Sequence, residues 1–346
     1  MQSLFDPITA PDPEFYQRAL QRQLQLTKPP GSLGMLERLA AELAAMQGRD
    51  APRVDNIHIS IFAADHGVAA EGVSAFPQTV TAQMVKNFAA GGAAVNVLAR
   101  HIKAHFEVVD VGLLHPVDDP AVFNNHAGFG TANFKTQKAI NESELYVALA
   151  AGRAAITRAL AAEADLFIGG EMGIANTTSA SAIAAALLSV PAGELTGAGT
   201  GLNDQQVIHK THVIEQALQH HHRHLLEPLA ILQALGGFEI IALVAAYVRA
   251  AQNGLPVLVD GFISSVAALA AVKINPGCAD WFFYGHLSEE KGHKIVLDAL
   301  TAEPILQLHM RLGEASGAVM AVPILQMACQ LHNEMATFTQ ANITTG

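Results

Sequence analysis

One carboxylate stands alone in an apolar region near the end of the sequence. Glu314 lies in the stretch RLGEASGA (311–318), between Gly313 and Ala315, and an apolar, helix-like segment follows. Small neighbours leave room beside a side chain and let the backbone bend. A carboxylate in such surroundings is suited to take a proton from a bound molecule. The alternative is structural, since an acidic residue is favoured at the start of a helix.

A second candidate site follows an apolar run. The stretch GGEMGIANTTSASAIAAALL (169–188) is typical of a strand end, a tight loop and a helix that begins with Asn176, Thr177, Thr178 and Ser179. Such residues are ordinary helix caps. They are also what a helix N-terminus offers to a phosphate or a carboxylate. Capping accounts for two of the four side chains, so the pattern favours an anion site.

A glycine-dense loop comes next. In GELTGAGTGLND (193–204), Gly197, Gly199 and Gly201 alternate with other residues, and such a loop can direct several backbone N–H groups at one anion. Lys210 follows at a distance of one to two helical turns and could add a positive charge. The loop matches neither a dinucleotide fingerprint nor a P-loop, so by itself it indicates little.

A further stretch suggests the binding of an apolar molecule. In DHGVAAEGVSAFPQTVTAQM (65–84), Phe76 and Pro77 can form a flat apolar surface, with Gln83 and Met84 on the helix that follows. A turn packed on the core is the alternative interpretation.

The histidine cluster QHHHRH (219–224) invites a metal interpretation. Only His220 and His224 have the spacing that brings two ligands together on a helix, and neither an HExxH motif nor a cysteine partner accompanies them. A solvated helix end is the favoured interpretation, and we expect no metal.

The elements that position these residues alternate between strands and helices. Alanine-rich helices separate most of the short apolar runs, which indicates a parallel sheet covered on both faces. Ligands of such sheets bind outside the carboxyl ends of the strands. Residues 13–48 are predicted to be helical with a loop at 27–34, and the chain is predicted to be helical from about residue 305 onward. Five strands are predicted, ending at Asp65–Gly67, Asp110, Gly169–Glu171, Asp260–Gly261 and Gly285–His286.

Composition excludes several classes of partner. Of 346 residues, 51% are hydrophobic and 15% charged, and the net charge of −11 argues against nucleic acid or an anionic membrane. Two cysteines without a CxxC motif are typical of a reducing compartment. The first residues lack the pattern of a signal peptide, and no segment has the length of a membrane span. We therefore expect a cytoplasmic protein that binds small molecules.

Several stretches together resemble one family. TKPPGSLG, ADHGVAAEGVSAFPQTVTAQM, GEMGIANTT, GAGTGL, LGGFEI, VDGFISS, GHLSEEKGH and RLGEASGA occur in the order of the nicotinate-nucleotide–dimethylbenzimidazole phosphoribosyltransferases, from about residue 20 to 338. The resemblance implies an α/β fold with a Rossmann-like parallel sheet flanked by helices over residues 51–304. It also implies a small helical domain built from both chain ends, residues 1–50 plus 305–346, and a homodimer.

The resemblance implies a reaction without a cofactor. Such a pentosyltransferase moves the phosphoribosyl group of nicotinate mononucleotide to 5,6-dimethylbenzimidazole, with inversion at C1′, giving α-ribazole 5′-phosphate and nicotinate in cobalamin biosynthesis. The pyridinium leaves as a neutral amine and needs no acid, whereas the attacking base loses a proton, so one general base suffices. By motif Glu314 is that catalytic base, and Glu171 stabilises positive charge on the ribose.

The resemblance also assigns the binding positions. The nucleotide and phosphate positions are Met172, Gly173, Asn176, Thr177, Thr178, Gly197, Gly199, Thr200, Gly201, Lys210, Asp260, Gly261, Ser288 and Gly313. The positions for the acceptor base are Ser74, Phe76, Pro77, Gln83, Met84 and Leu312.

Three departures and two rival functions complete the interpretation. Ala175 and Ala315 replace glycines of the family pattern and Asn203 replaces an aspartate. The two alanines are expected to trim affinity, and none of the three changes removes chemistry. A dinucleotide-dependent oxidoreductase would need a GxGxxG motif that the chain lacks. A non-catalytic nucleotide sensor would explain the glycine-rich loops but not Glu314.

Overall fold

Seven strands form one wholly parallel sheet. The structure is a computed structural model that describes residues 2–344. The strands are β1 Ile57–Ala64, β2 His105–Gly112, β3 Val122–Asn124, β4 Leu166–Met172, β5 Val257–Val259, β6 Phe282–His286 and β7 Pro304–Leu306. Their order is β3-β2-β1-β4-β5-β6-β7. The order reverses between β1 and β4, and the crevice at such a switch point is where open α/β sheets bind ligands.

Helices cover the sheet. Strand β1 is buried along its whole length, as expected for a strand with both faces covered. Helix α10 packs against β1, β2, β4 and α5. The helices are α1 Pro13–Gln25, α2 Met35–Gln47, α3 Thr79–Ala89, α4 Ala94–His101, α5 Glu142–Ala161, α6 Asn176–Leu188, α7 Ala192–Leu195, α8 Asp204–His221, α9 Pro228–Leu235, α10 Phe238–Gln252, α11 Phe262–Ile274, α12 His293–Ala299 and α13 Ser316–Glu334. The predicted fold class, a Rossmann-like parallel sheet flanked by helices, is confirmed.

The five predicted strands are present as β1, β2, β4, β5 and β6, and sequence analysis missed the two edge strands. Strands β3 and β7 have three residues each, which is too short for a period-two pattern. The helices predicted over residues 13–48 are confirmed as α1 and α2, with the loop between them.

The helix predicted from about residue 305 onward is confirmed only over Ser316–Glu334, and the prediction is wrong for residues 305–315 and 335–344. Strand β7 ends at Leu306, and α13 begins only at Ser316. The segment between them is extended beside the chain that leaves β6. The backbone N–H of Leu287 donates to the Leu306 carbonyl at 2.8 Å, and that of Glu289 donates to the Met310 carbonyl at 3.0 Å. These bonds replace the intrahelical bonds that the apolar pattern had indicated.

The two ends of the chain pack on each other. Leu26 and Thr337 form an antiparallel bridge, and Arg22 donates through Nε to the carbonyl of His332 at 2.6 Å. Helix α13 contacts α2, α4, β6 and β7. The division into a small domain (1–50 plus 305–346) and a core (51–304) stays a prediction, and its residues 1, 345 and 346 lie outside the described residues. None of the described helices is long and apolar enough to cross a membrane.

Candidate active site

A cavity of about 700 Å³ opens at the carboxyl ends of β4, β5 and β6. Sequence analysis expected a ligand site at the strand ends, and the structure brings many of the candidate residues together there. Predicted residues in the wall are Phe76, Met84, Glu171, Met172, Gly173, Asn176, Thr177, Gly199, Thr200, Asp260, Gly261, Ser288, Leu312, Gly313 and Glu314.

Glu314 lies in a tight left-handed turn. Gly313, Glu314 and Ala315 have φ angles of 80°, 58° and 63°. Two of these residues carry a side chain, and each costs about 1–2 kcal/mol in this conformation, so surrounding contacts must hold it. Ser316 supplies one contact, because its Oγ donates to the carbonyl of Gly313 at 2.7 Å.

The turn presses directly on the sheet. A Cβ atom at Gly170 of β4 would lie 2.9 Å from the Cβ of Ala315. A Cβ at Gly285 of β6 would lie 2.6 Å from the Cα of Ala318. Both distances are too short for non-bonded carbon atoms, so only glycine allows this approach. The absence of side chains at Gly170 and Gly285, on the two strands that flank β5, therefore fixes the depth of the turn and of the first residues of α13.

The surroundings of Glu314 suit a general base. Its side chain is buried, with 7% of the residue exposed. Burial and, second, the negative charge of Asp260 raise the pKa of Glu314 to about 7. A base with a pKa near the working pH combines a large ionised fraction with good proton affinity. The structural alternative, an acid that merely starts a helix, does not account for this burial beside a cavity.

Glu171 lines the same cavity as Glu314 and is hydrogen-bonded to its backbone. The backbone N–H of Glu314 donates to its Oε1 at 3.4 Å, and Asn176 donates through Nδ2 to its Oε2. Burial, followed by the charges of Asp260 and Glu239, outweighs these bonds and raises the pKa of Glu171 well above its ordinary value. A positive charge developing nearby would favour the ionised form again.

The interpretation of residues 176–179 as helix caps is wrong. The N-cap of α6 is Ala175, with φ 77°, and no side chain caps this helix. Asn176 bonds Glu171 instead, and Ser179 donates through Oγ to the carbonyl of Leu235. The polar side chains at this helix start therefore serve contacts outside their own helix.

Lys210 lies behind the cavity wall. It is fully buried, and its Nζ donates to the Oγ1 of Thr177 at 2.8 Å. Burial lowers the pKa of Lys210 to about 8, and the negative charge of Glu290 opposes this shift. Lys210 thus contacts the cavity through a hydroxyl that itself lines the wall.

Sequence analysis missed two charged residues of the wall, Arg311 and Glu290. Arg311 donates through Nη1 to the carbonyl of Gly199 at 3.3 Å. Both residues lie inside stretches that carry the family resemblance, RLGEASGA and GHLSEEKGH, so the signal was present. Burial raises the pKa of Glu290, and the positive charges of Lys210 and Arg311 oppose that shift.

His293 fixes the loop that carries Ser288. The backbone N–H of Ser288 donates to His293 Nδ1 at 2.8 Å, and Nε2 lies 2.9 Å from the Oγ of Ser265 on α11. Since a backbone N–H can only donate, Nδ1 must be unprotonated and the ring proton is on Nε2. Burial and the charge of His286 lower the pKa of His293 to about 3, in agreement with a neutral ring.

The outer end of the cavity is apolar. Phe76, Val80, Met84 and Leu312 line it, and Phe76 is 50% and Leu312 55% exposed. Val80, missed by sequence analysis, precedes Met84 by one helical turn and shares its face of α3. Gln83 lies on a different face of that helix and is exposed.

Some predicted positions lie outside this wall. They are Ser74, Pro77, Gln83, Thr178, Gly197, Gly201 and Lys210, and their assignments stay predictions. The histidine cluster lies elsewhere, and His221 bonds through Nε2 to the carbonyl of Phe134 at 2.7 Å. Across residues 2–344, no three His, Cys, Asp or Glu side chains are grouped to hold a metal ion. The lack of a metal requirement also stays a prediction.

A second cleft, of about 460 Å³, lies beside the first residues of β6. Its charged residues include Arg38, which pairs with Glu42 and Glu303. Paired charges of this kind are already satisfied, so the cavity at the carboxyl ends is the candidate active site.

The chain is similar to known phosphoribosyltransferases along nearly its whole length. The family model DBI_PRT, described as phosphoribosyltransferase, matches residues 8–343. The nicotinate-nucleotide–dimethylbenzimidazole phosphoribosyltransferase of Azotobacter vinelandii is 57% identical over 327 residues, 94% of this chain and 93% of that protein. The enzyme of the same name from Pseudomonas fluorescens is 56% identical over 339 residues, 98% and 97% of the two chains. The crystal structure of the Thermus thermophilus enzyme of that name matches with a TM-score of 0.92 at 42% identity, covering 97% of this chain and 100% of that one.

Proposed function

This chain belongs to the DBI_PRT family of phosphoribosyltransferases, and from that membership we propose that it transfers the phosphoribosyl group of nicotinate mononucleotide to 5,6-dimethylbenzimidazole. The products are α-ribazole 5′-phosphate and nicotinate. The observation that carries the proposal is the buried Glu314 carboxylate, with a pKa raised to about 7, in the wall of a cavity with one polar and one apolar end.

The proposed reaction is one displacement at C1′ of the ribose. One nitrogen of the acceptor base forms a bond to C1′ from the face opposite the pyridinium, and the C1′–pyridinium bond breaks. The leaving group takes the bonding electron pair and departs as nicotinate, which inverts the configuration. The second nitrogen of the acceptor loses its proton to Glu314, and Glu171 stabilises the positive charge on the ribose in its ionised form.

The polar end suits the nucleotide. Arg311, Thr177 with Lys210 behind it, and the start of α11 after Gly261 all offer donors or positive charge to an anion. These groups support the assignment of the phosphate to this end. Glu290 is a carboxylate among them and offsets part of their charge.

The apolar end suits a flat base. Phe76, Val80, Met84 and Leu312 present carbon surfaces to a bicyclic ring, and Glu314 lies close to Leu312 in the chain. A base bound at this end lies in the same cavity as the Glu314 carboxylate, which supports the transfer of its proton to Glu314. Apolar contact of this kind distinguishes methyl-sized differences by only about 1–3 kcal/mol.

Two further features belong to the proposal. We propose that the protein acts as a homodimer, which is supported by the half-exposed Phe76 and Leu312 at the rim of the cavity. Light scattering with size-exclusion chromatography measures this directly. We propose the cytoplasm as its location, which is supported by the two buried, unbridged cysteines Cys278 and Cys329.

A product assay tests the proposed reaction. The purified protein is incubated with nicotinate mononucleotide and 5,6-dimethylbenzimidazole, and α-ribazole 5′-phosphate is measured by liquid chromatography and mass spectrometry. A thermal-shift comparison of nicotinate mononucleotide with dinucleotides separates the proposal from an oxidoreductase. Binding of the mononucleotide without product would instead support a sensor, and the proposal would then be wrong.

A further inference from the structure

We propose that Asp260 is a positioning residue that holds the Glu314 turn in place and strengthens Glu314 as a base, and that it is not a ligand of the nucleotide. This inference rests on the proposed function, and it reassigns a residue that the family resemblance had placed at the nucleotide. Asp260 follows β5 directly and is fully buried, although it lies in the wall of the cavity.

The first step of the argument is a missing helix cap. Helix α13 begins immediately after the Glu314 turn, and its N-cap residue, Ala315, has no side-chain oxygen. The first N–H groups of a helix need acceptors from outside the helix. The Oδ1 of Asp260 accepts from the backbone N–H of Ala318 at 2.7 Å. A neighbouring strand end therefore supplies the acceptor that an N-cap side chain ordinarily provides.

The second step is the tightness of the fit around this bond. Ala318 also packs on Gly285, where a Cβ atom would lie 2.6 Å from its Cα. A Cβ at Gly317 would overlap the ring of His286. Because the turn before α13 is left-handed at three successive residues, it needs such external restraint. The bond from Asp260 is the polar part of this restraint, and the glycine contacts are the apolar part.

The third step is charge. The charged residues that line the cavity together with Glu314 are Glu171, Asp260, Glu290 and Arg311. His286 of β6 lies 3.8 Å from Asp260 Oδ1. Burial raises the pKa of Asp260, whereas the neighbouring His286 and the N–H groups at the start of α13 oppose that shift and favour its ionised form. A negative charge beside Glu314 raises the proton affinity of that carboxylate.

The test separates the two parts of this role by using two variants of the full-length protein. Asp260→Asn keeps an oxygen that can accept from Ala318 but removes the charge. We expect the acid limb of its kcat profile to move to lower pH by about one unit, with the KM for nicotinate mononucleotide changed less than about twofold. Asp260→Ala also removes the acceptor, and we expect an additional loss in kcat of at least about tenfold, as is typical when a catalytic group is misplaced.

Two controls sharpen the comparison. Glu289→Gln removes a carboxylate that is 44% exposed and paired with His309, and should leave the acid limb in place. Because Asp260 is proposed to act through Glu314, adding Asp260→Asn to Glu314→Gln should reduce the rate no further. The pKa of Glu314, followed by carbon-13 NMR of labelled glutamate in the wild type and in Asp260→Asn, should fall in the variant without any assay of turnover.

Three results would overturn the inference. An increase in the KM for the nucleotide with an unchanged acid limb would make Asp260 a nucleotide ligand. Lower thermal stability of the variants with an unchanged acid limb of the kcat–pH profile would mean that Asp260 has a purely structural role. An additive loss in the double variant would mean that it acts independently of Glu314. If the wild type forms no α-ribazole 5′-phosphate, the proposed function fails instead, and the NMR comparison still tests the effect of Asp260 on Glu314.

Discussion

Replacing Glu314 by glutamine changes the charge at the proposed reaction centre with little change in shape. Since one pKa unit corresponds to about 1.4 kcal/mol, a pKa raised from 4.5 to about 7 means that the folded protein disfavours the Glu314 carboxylate by about 3 kcal/mol. The wild-type kcat should then fall about tenfold for each pH unit below 7, because only the ionised form accepts a proton. Glu314→Gln should lose about 10²–10⁴-fold in kcat, and its residual rate should show no acid limb.

The same pKa has a consequence for stability. A carboxylate whose pKa is raised on folding binds more protons in the folded state, so its contribution to stability is lost as the pH rises from about 4.5 to about 7. At pH 8 the wild type should carry a penalty of about 3 kcal/mol that Glu314→Gln lacks, relative to the comparison at pH 4.5. Urea denaturation of both proteins at the two pH values measures this difference.

The assay is the pH–rate profile of both proteins with nicotinate mononucleotide and 5,6-dimethylbenzimidazole at saturation. Glu314→Asp serves as a control, since it keeps a carboxylate but withdraws it by one carbon, and it should retain an acid limb at reduced kcat. If Glu314→Gln keeps nearly full kcat, Glu314 is not the base and Glu171 becomes the next candidate. A wild-type limb near pH 4.5 would instead refute the argument from burial.

Five further outcomes are expected. Lys210→Ala should raise the KM for the nucleotide by an amount equivalent to about 1–3 kcal/mol. The wild-type KM should rise above about pH 8, where Lys210 loses its charge. A variant KM equal to the wild-type KM at every salt concentration of a series would contradict this role. Dialysis against a chelator should leave the rate intact, and activity that returned only with zinc would reverse this expectation. Unsubstituted benzimidazole should be accepted, because the Phe76 end of the cavity offers only apolar contact. Its kcat/KM should be lower by a factor equivalent to about 1–3 kcal/mol for each missing methyl. Strict rejection of this base would contradict an apolar binding surface at the Phe76 end. Ala175→Gly should change the free energy of unfolding in urea by less than about 1 kcal/mol, since relief of the left-handed strain is offset by chain entropy and a lost buried methyl. A gain above about 2 kcal/mol would reveal strain that the methyl does not offset.

The central strands and the site at their ends were predictable, because long apolar runs that stop at Asp, Glu or Gly have few other interpretations. Strands β3 and β7 were not, since three residues at the edge of a sheet carry no period. The segment after β7 looked helical because its apolar residues fit either period. Only the backbone bonds of Leu287 and Glu289 decide that it is extended, and these bonds are long-range.

The side-chain roles divide in the same way. Glu314 could be identified from its isolation. The capping role allowed for two of the residues 176–179 was wrong, because Asn176 and Ser179 bond to groups outside their own helix. The substitutions at Ala175 and Ala315 could be seen, but not that both residues adopt positive φ angles of 77° and 63°. Sequence pattern and composition indicate only local conformational preference. The hydrogen-bond partners of Asn176 and Ser179 and the φ angles of Ala175 and Ala315 depend on contacts with residues distant in the sequence.

The two walls of the cavity differ in how well they tolerate substitutions, because close glycine contacts lie beneath the Glu314 turn on one side only. At Gly170 and Gly285, any side chain would push the turn, and the carboxylate with it, out of place. On the opposite side, Val80 and Met84 project from one face of a helix, where a larger or smaller apolar side chain alters the slot without moving the base. Natural drift or laboratory selection for a different acceptor should therefore accumulate substitutions on α3, and leave the glycines of β4 and β6 untouched.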